Sequence, residues 1–565
     1  MPSASLDKLL ARLEEARRRF GPENDAPAER LLDTLARRSF PDADSLIRFH
    51  EILLFLRAYP RGEGILRRAE DLLSTFSRRV ERLRRSRVDM IAFDYMEYSG
   101  IAGTELKGTY GYAIARWLEA RYPASVSIDW EGYERGERLG HTLPRFLPLL
   151  YEDSLVEANV PYTEWLRAAA GRGDGDLRWL LGRFDRLPVS EREKAELYDS
   201  LELKIRWKLN DSRAARTHLR LPARKVFYHE GPLIKRSEVS LERELASPPA
   251  LKRLPRPRGQ KMIDMLREAT VSRYRELYGI THGDPESVVR ASVGRGVEIL
   301  LWGLPRDRRL PLRAYHSGFT LKNGVPVDYI EGISLFDRME LGFNLFYTFR
   351  DGESAWIYAQ VLRVLHRVTG AGCFSVDPYQ LGFNNDEAIE SGAFWFYRKL
   401  GFRPTRPELA SITEREERKM GRRPGYKSPA EILRRLSRGN MVYEIPGSSR
   451  GYWDRFHIRN LGLAAQSRMA ARFDGDSEKF ARASMEKVGK ALGIGPASWR
   501  EPAYQAFSNL ALVLALIPDL SRWTEAEKRG VSRIIRAKMS ADESKYLLLL
   551  QRHSRLRDAI RALGS

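Results

Sequence analysis

Residues 340–402 read ELGFNLFYTFRDGESAWIYAQVLRVLHRVTGAGCFSVDPYQLGFNNDEAIESGAFWFYRKLGF, and the succession of patterns in this stretch decides the fold. Over 340–349, Leu341, Phe343, Leu345 and Tyr347 recur at every second position, the spacing of a strand with one apolar face. The alternation stops at Arg350-Asp351-Gly352-Glu353-Ser354-Ala355. A helical stripe then begins, carried by Ile357, Tyr358, Val361, Leu362, Leu365 and Val368. Residues 373–377 predict a short strand, and 387–400 a second helix closed by Gly401.

Upstream, residues 313–320 and 325–335 are two extended runs joined by Leu321-Lys322-Asn323-Gly324. Asn-Gly supplies the positive φ angles that a tight hairpin turn requires. The pattern is therefore an antiparallel meander that feeds a β-α-β-α unit.

The junction at 350–355 carries a chemical implication. A strand that turns straight into a helix leaves unpaired backbone N–H groups at the helix start, aimed at whatever approaches. Gly352 lets the backbone come close to a ligand, and Arg350 adds a fixed charge suited to phosphate. A plain strand-to-helix turn has the same local pattern.

Further along, Ala393, the pair Phe396-Tyr397, Lys399 and Gly401-Phe402 follow one another in a distinctive order. This ending resembles that of the CoA-binding module of the GNAT superfamily of N-acetyltransferases. The resemblance covers about residues 313–404, and the stretch 343–404 is also similar to bacterial proteins that share the pattern. It implies acetyl-CoA or another acyl-CoA as donor, an amine of unspecified identity as acceptor, and no metal. The family's pyrophosphate loop falls on Arg350, Asp351, Gly352, Glu353, Ser354 and Ala355. Its inner glycine is replaced by Glu353, with the glycine one place earlier at Gly352. CoA binding then requires the Glu353 carboxylate to turn away from the phosphates, as an acidic residue of the helix's first turn. The resemblance further implies that Leu345, Phe346 and Tyr347 pair their backbone with the pantetheine arm. Tyr397 stands where the family has a tyrosine able to protonate the departing thiolate.

An amine nucleophile must lose a proton. Glu331 shares strand parity with Val327, Tyr329, Ile333 and Leu335, so its carboxylate sits on an otherwise apolar face, where a raised pKa suits a base. A wet strand-edge carboxylate has the same spacing. His316 and Glu340 are weaker candidates, and Asp377 suits a cap for the loop that follows it. Cys373, in a short apolar run, reads as a small buried hydrophobe.

Working outward, 565 residues exceed one compact core and predict several units. Residues 1–215 predict a mainly helical region, with helices over 45–56, 65–83, 112–122 and 191–209 and an irregular stretch at 91–111. Residues 216–258 form a Pro-rich, basic, strand-bearing bridge. The resemblance implies that residues 259–425 hold a GNAT-like acyl-CoA domain, expected to begin with a helix over 260–277 and a strand at 297–302. Residues 426–565 predict a helical C-terminal region. The expected class is thus α/β (α+β), a GNAT-like mixed-sheet domain in the centre, flanked by mainly α-helical N- and C-terminal regions.

Ninety-six Lys and Arg against 75 Asp and Glu leave a formal charge of +21. A field of that sign attracts polyanions. Yet runs such as Arg17-Arg18-Arg19 are mixed with acids, as on solvated helix faces. The single cysteine excludes a disulfide framework and a cysteine-based metal cluster and fits a cytoplasmic protein. The longest apolar run, 510–517, is far short of the roughly 20 residues needed to span a bilayer, so no membrane insertion is expected. Two other readings stay open: a catalytically inactive GNAT-like binding protein, and a basic protein that interacts with RNA or tRNA.

Overall fold

A computed structural model of the protein describes all residues except 1–4, 156–158, 172–174, 224 and 496–499. The centre is one ten-stranded sheet. In chain order its strands are β4 Leu251–Arg253, β5 Val289–Gly294, β6 Val297–Trp302, β7 Ala314–Lys322, β8 Val325–Pro326, β9 Asp328–Leu335, β10 Arg338–Leu345, β11 Cys373–Val376, β12 Arg403–Pro404 and β13 Met441–Glu444. In space the order is β12-β13-β11-β10-β9-β7-β6-β5-β4, with β8 paired to β7. Among the described residues only β10 and β11 run parallel, because a helix rather than a hairpin joins them. A separate sheet, β1 Glu105–Thr109, β2 Val126–Ile128 and β3 Lys204–Lys208, lies within the N-terminal third in the order β1-β3-β2.

The expected hairpin forms where Asn323 and Gly324 take φ of 49° and 82°. The expected strand over 340–349 is shorter. It ends at Leu345, and Tyr347–Phe349 winds into a 3-10 turn that leaves Tyr347 51% exposed rather than on the apolar face. The helix Ser354–Thr369 buries its predicted stripe except for the half-buried Val368, and ends at the left-handed Gly370. The helix expected at 387–400 is two, Asp386–Glu390 and Ala393–Lys399, because Gly392 between them adopts φ 67°. The helix expected at 260–277 runs instead from Arg256 to Val271. Prolines are tolerated in its first turn, and Tyr274 beyond its end has φ 55°. The helix expected over 191–209 stops at Asp199, and Lys204–Lys208 is strand β3. Within the C-terminal third, Met441–Glu444 inserts between β11 and β12 as β13.

The core explains how the flanks attach. One continuous apolar cluster contains Leu10, Leu46, Phe49 and Phe55 from the N-terminal helices together with Val327, Phe349, Ile357 and Tyr397 from around the central sheet. Residues 102–215 enclose a second cluster around Leu118, Phe184 and Trp207, with Val271 added from the central region. A third, around Trp453, Phe507 and Tyr546, joins the C-terminal helices to Phe336 and Cys373. Among the described residues no helix is long and apolar enough to cross a membrane.

Candidate functional site

β10 and β11 pair only from Arg338 with Cys373 to Glu340 with Ser375. Beyond Glu340, β10 continues to Leu345 against β9 alone, so its other edge opens into a gap. Aromatic rings line that gap on the face of the helix Ser354–Thr369: Phe343 and Tyr397 pack on Tyr358 at centroid distances of 5.1 and 5.6 Å.

The gap holds the side chain of Gln380. Its Oε1 accepts from the Tyr397 hydroxyl at 3.3 Å and from the Phe343 N–H at 3.4 Å. Its Nε2 lies 3.2 Å from where a Cβ on Gly342 would stand. The Glu331 Cβ lies 3.8 Å from the same point, in register with Gly342 across the β9–β10 pair. Glu331 and the Gln380 side chain that holds Tyr397 thus meet at one bare backbone position, Gly342. Burial pushes the Tyr397 phenol well above its ordinary range, helped by the Asp377 charge, so it stays protonated at neutral pH. Burial also raises Glu331, opposed by a short hydrogen bond from the Tyr315 hydroxyl.

The junction at 350–355 is tied down on all sides. Glu353 turns inward and has no exposed side-chain surface. It is paired with Lys322 at 3.2 Å and with Arg295, whose Nε donates at 2.9 Å. Burial alone would raise this carboxyl, but Lys322 and Arg295 hold it below its ordinary value. For Lys322 burial wins over the pairing and lowers the ammonium to about 8, since one carboxylate is shared between two cations. Asp351 accepts from Arg17 at 2.7 Å and Arg18 at 2.5 Å, so two arginines that read as part of a solvated face reach across the fold. Arg350 pairs with Glu387 at the surface. Gly352 faces the Tyr59 hydroxyl, leaving no room there for a Cβ, and Glu353 N–H points to that hydroxyl at 3.4 Å.

The end of β10 is anchored in the same way. Phe346 N–H donates to Val327 O at 2.9 Å. The Thr348 hydroxyl donates to Glu51 on the helix Ala43–Ala58. Burial alone would raise Glu51, but Arg216 holds it at about 2. Leu345 and Phe346 are buried, Ser354 is half-buried and Ala355 is buried.

The remaining candidates separate. His316 lies on the opposite face of β7 from Ser317, the register partner of Glu331, and burial lowers it to about 4. Glu340 is held between Arg313 at 2.8 Å and Arg338 at 2.7 Å. Asp377 caps the short helix Pro378–Leu381 by accepting from Gln380 N–H at 3.1 Å. Cys373 is buried, and burial pushes its thiol up to about 12. No His, Cys, Asp and Glu side chains converge in groups of three able to hold a metal among the described residues. Sequence reasoning missed Gln380, Tyr59, Arg295 and Lys322. Only Lys322, beside the Asn-Gly turn, lay near a recognised signal.

Comparison with protein-family models, with curated proteins and with solved structures finds no match to this chain.

Proposed function

We propose that the chain is a GNAT-like acyltransferase that passes an acetyl or longer acyl group from acyl-CoA to an amine. The observation that carries this reading is the gap between β10 and β11, where Gln380 holds the Tyr397 hydroxyl, with Glu331 across β10 beside Gly342. The open edge of β10 offers backbone groups to a pantetheine arm once Gln380 swings out, and Arg350 exchanges Glu387 for phosphate. Glu331, its proton affinity raised by burial, takes a proton from the acceptor ammonium, and the amine so freed attacks the thioester carbonyl, forming the C–N bond as the C–S bond breaks. Tyr397, kept protonated by burial, donates a hydrogen bond to the departing thiolate inside a desolvated pocket.

The test is calorimetric titration of acetyl-CoA and CoA into the full-length protein, beside Arg350→Ala and Tyr397→Phe. Binding in the wild type, lost in Arg350→Ala and kept in Tyr397→Phe, supports the reading. Absence of binding at about 1 mM ligand, a free energy near −4 kcal/mol, sinks it.

A second reading has its own observation. Tyr59 over Gly352 and Gln380 in the gap fill both places that a CoA would take, as in a protein that uses the fold for binding other partners. Acyl-CoA binding by the wild type decides against it.

A further inference from the structure

A second opening lies away from the 350–355 junction and shares none of its residues. It is a cavity of about 1020 Å³ between the paired ends of β10 and β11, the loop before β13, and the segment 451–459. Six arginines line it, against three carboxylates.

The carboxylates are already engaged. Glu340 lies between Arg313 and Arg338, Asp454 accepts from both arms of Arg403 at 2.8 and 2.9 Å, and Asp377 caps its helix. The arginines are not so matched. Arg438, Arg455 and Arg459 are exposed and pair with no carboxylate among the described residues. Arg338 is only 7% exposed, and its Nε has no partner. Such a buried, unsatisfied guanidinium N–H is costly unless something fills its place.

Two helices add to the same field. Pro407–Arg422 and Ile458–Phe473, sixteen residues each, both begin at the cavity wall, at Arg406 and His457. The positive ends of both helices favour negative charge there, although the first already carries Glu408 in its opening turn. Burial, with Arg459 and Arg338 nearby, lowers His457, which favours its neutral form.

Three unmatched guanidiniums and two helix starts exceed what one carboxylate needs, and planar guanidiniums match phosphate oxygens two at a time. The volume is at the upper end of small-molecule sites, which run to about 1000 Å³. We propose that this cavity binds a small ligand carrying two or more linked phosphate groups, of the nucleoside diphosphate class. The site is independent of acyl transfer.

The test is calorimetric titration of the full-length protein with ADP, inorganic pyrophosphate, orthophosphate and a single-stranded RNA oligonucleotide, in wild type and Arg455→Ala/Arg459→Ala. Both arginines are exposed, so the variant keeps its fold, and an unchanged melting temperature verifies this. Arg438→Ala serves as an independent second variant. ADP and pyrophosphate bind the wild type, and orthophosphate binds at least about tenfold more weakly. The double variant loses at least about tenfold in pyrophosphate affinity, and its binding depends less steeply on salt between about 50 and about 200 mM. Any of three results overturns the proposal: no binding of ADP or pyrophosphate at about 1 mM, affinity equal in all three proteins, or RNA binding that ADP does not displace. CoA, itself a pyrophosphate, is titrated in parallel. Because CoA can enter both sites, it is titrated into Arg455→Ala/Arg459→Ala with and without Arg350→Ala. CoA binding kept in the double variant and lost on adding Arg350→Ala belongs to the gap, and pyrophosphate binding kept in Arg350→Ala alone belongs to this cavity, so each proposal can fail alone.

Discussion

Removing the side chain of Gln380 tests the gap between β10 and β11 directly. In the free protein that side chain takes up the Tyr397 hydroxyl at 3.3 Å and the Phe343 N–H at 3.4 Å. A pantetheine arm running along β10 must first break both. A protein hydrogen bond nets about 0.5–1.5 kcal/mol, and these two are long, so together they contribute about 1 kcal/mol. Gln380→Ala leaves Tyr397 and Phe343 unsatisfied in the free protein and free to meet a ligand. Acetyl-CoA affinity is then expected to rise about fivefold to tenfold. The cap on the short helix survives, because Asp377 receives the Gln380 backbone N–H rather than the side chain. The assay is calorimetry on wild type and variant at equal ionic strength, with thermal melts to show that both are folded. Equal or weaker affinity in a folded Gln380→Ala would falsify the assignment of the gap to the pantetheine arm.

Two other perturbations address buried charge near the junction. Asp328 is fully buried, accepts the Thr320 N–H at 2.8 Å, and is pushed up to about 7 by burial. A carboxyl raised in the folded state gives stability that is present below its unfolded pKa and lost as pH rises through the folded value. Asp328→Asn is therefore expected to be more stable than wild type at pH 8, by up to about 4 kcal/mol, with the difference vanishing near pH 4. Urea midpoints at several pH values check this, and a pH-independent difference overturns it. Glu353→Gln leaves the Lys322 ammonium buried without its counter-charge and is expected to cost about 3–5 kcal/mol at neutral pH. Because Glu353 is lowered in the folded state, that difference is full above the ordinary carboxylate pKa of 4.5 and shrinks as pH falls through the folded value. A neutral urea midpoint unchanged by the substitution means the pairing contributes nothing.

Local chemistry was legible wherever neighbours in sequence decide it. Asn323-Gly324 forces the hairpin, and the stripe from Ile357 to Leu365 forms the helix that its period predicts. Gly392 was visible too, but a helical period continued across it, and only its left-handed conformation shows the break. The short strand β13 carries no alternation long enough to stand out, and it is a strand because β11 and β12 offer it edges on both sides. At the candidate site, Glu353 was recognisable as a departure from the family pattern. Its partner Arg295 was not, being 58 positions away on another strand connection. Gln380 follows a strand in a four-residue helix, too short to give a periodic signal. Arg17 and Arg18 looked like any charged helix end until a distant aspartate was placed beside them.

That placement bears on how the chain is made. Arg17 meets Asp351 across 334 positions, and Tyr59 meets Glu353 across 294. At about 5–20 residues per second, the ribosome needs about 15 to 60 s to supply the second member of the Tyr59 pair. For that interval the leucines and phenylalanines of the first helices have no sheet to cover them. A pause in translation before residue 350 lengthens the time for which that apolar surface stays uncovered.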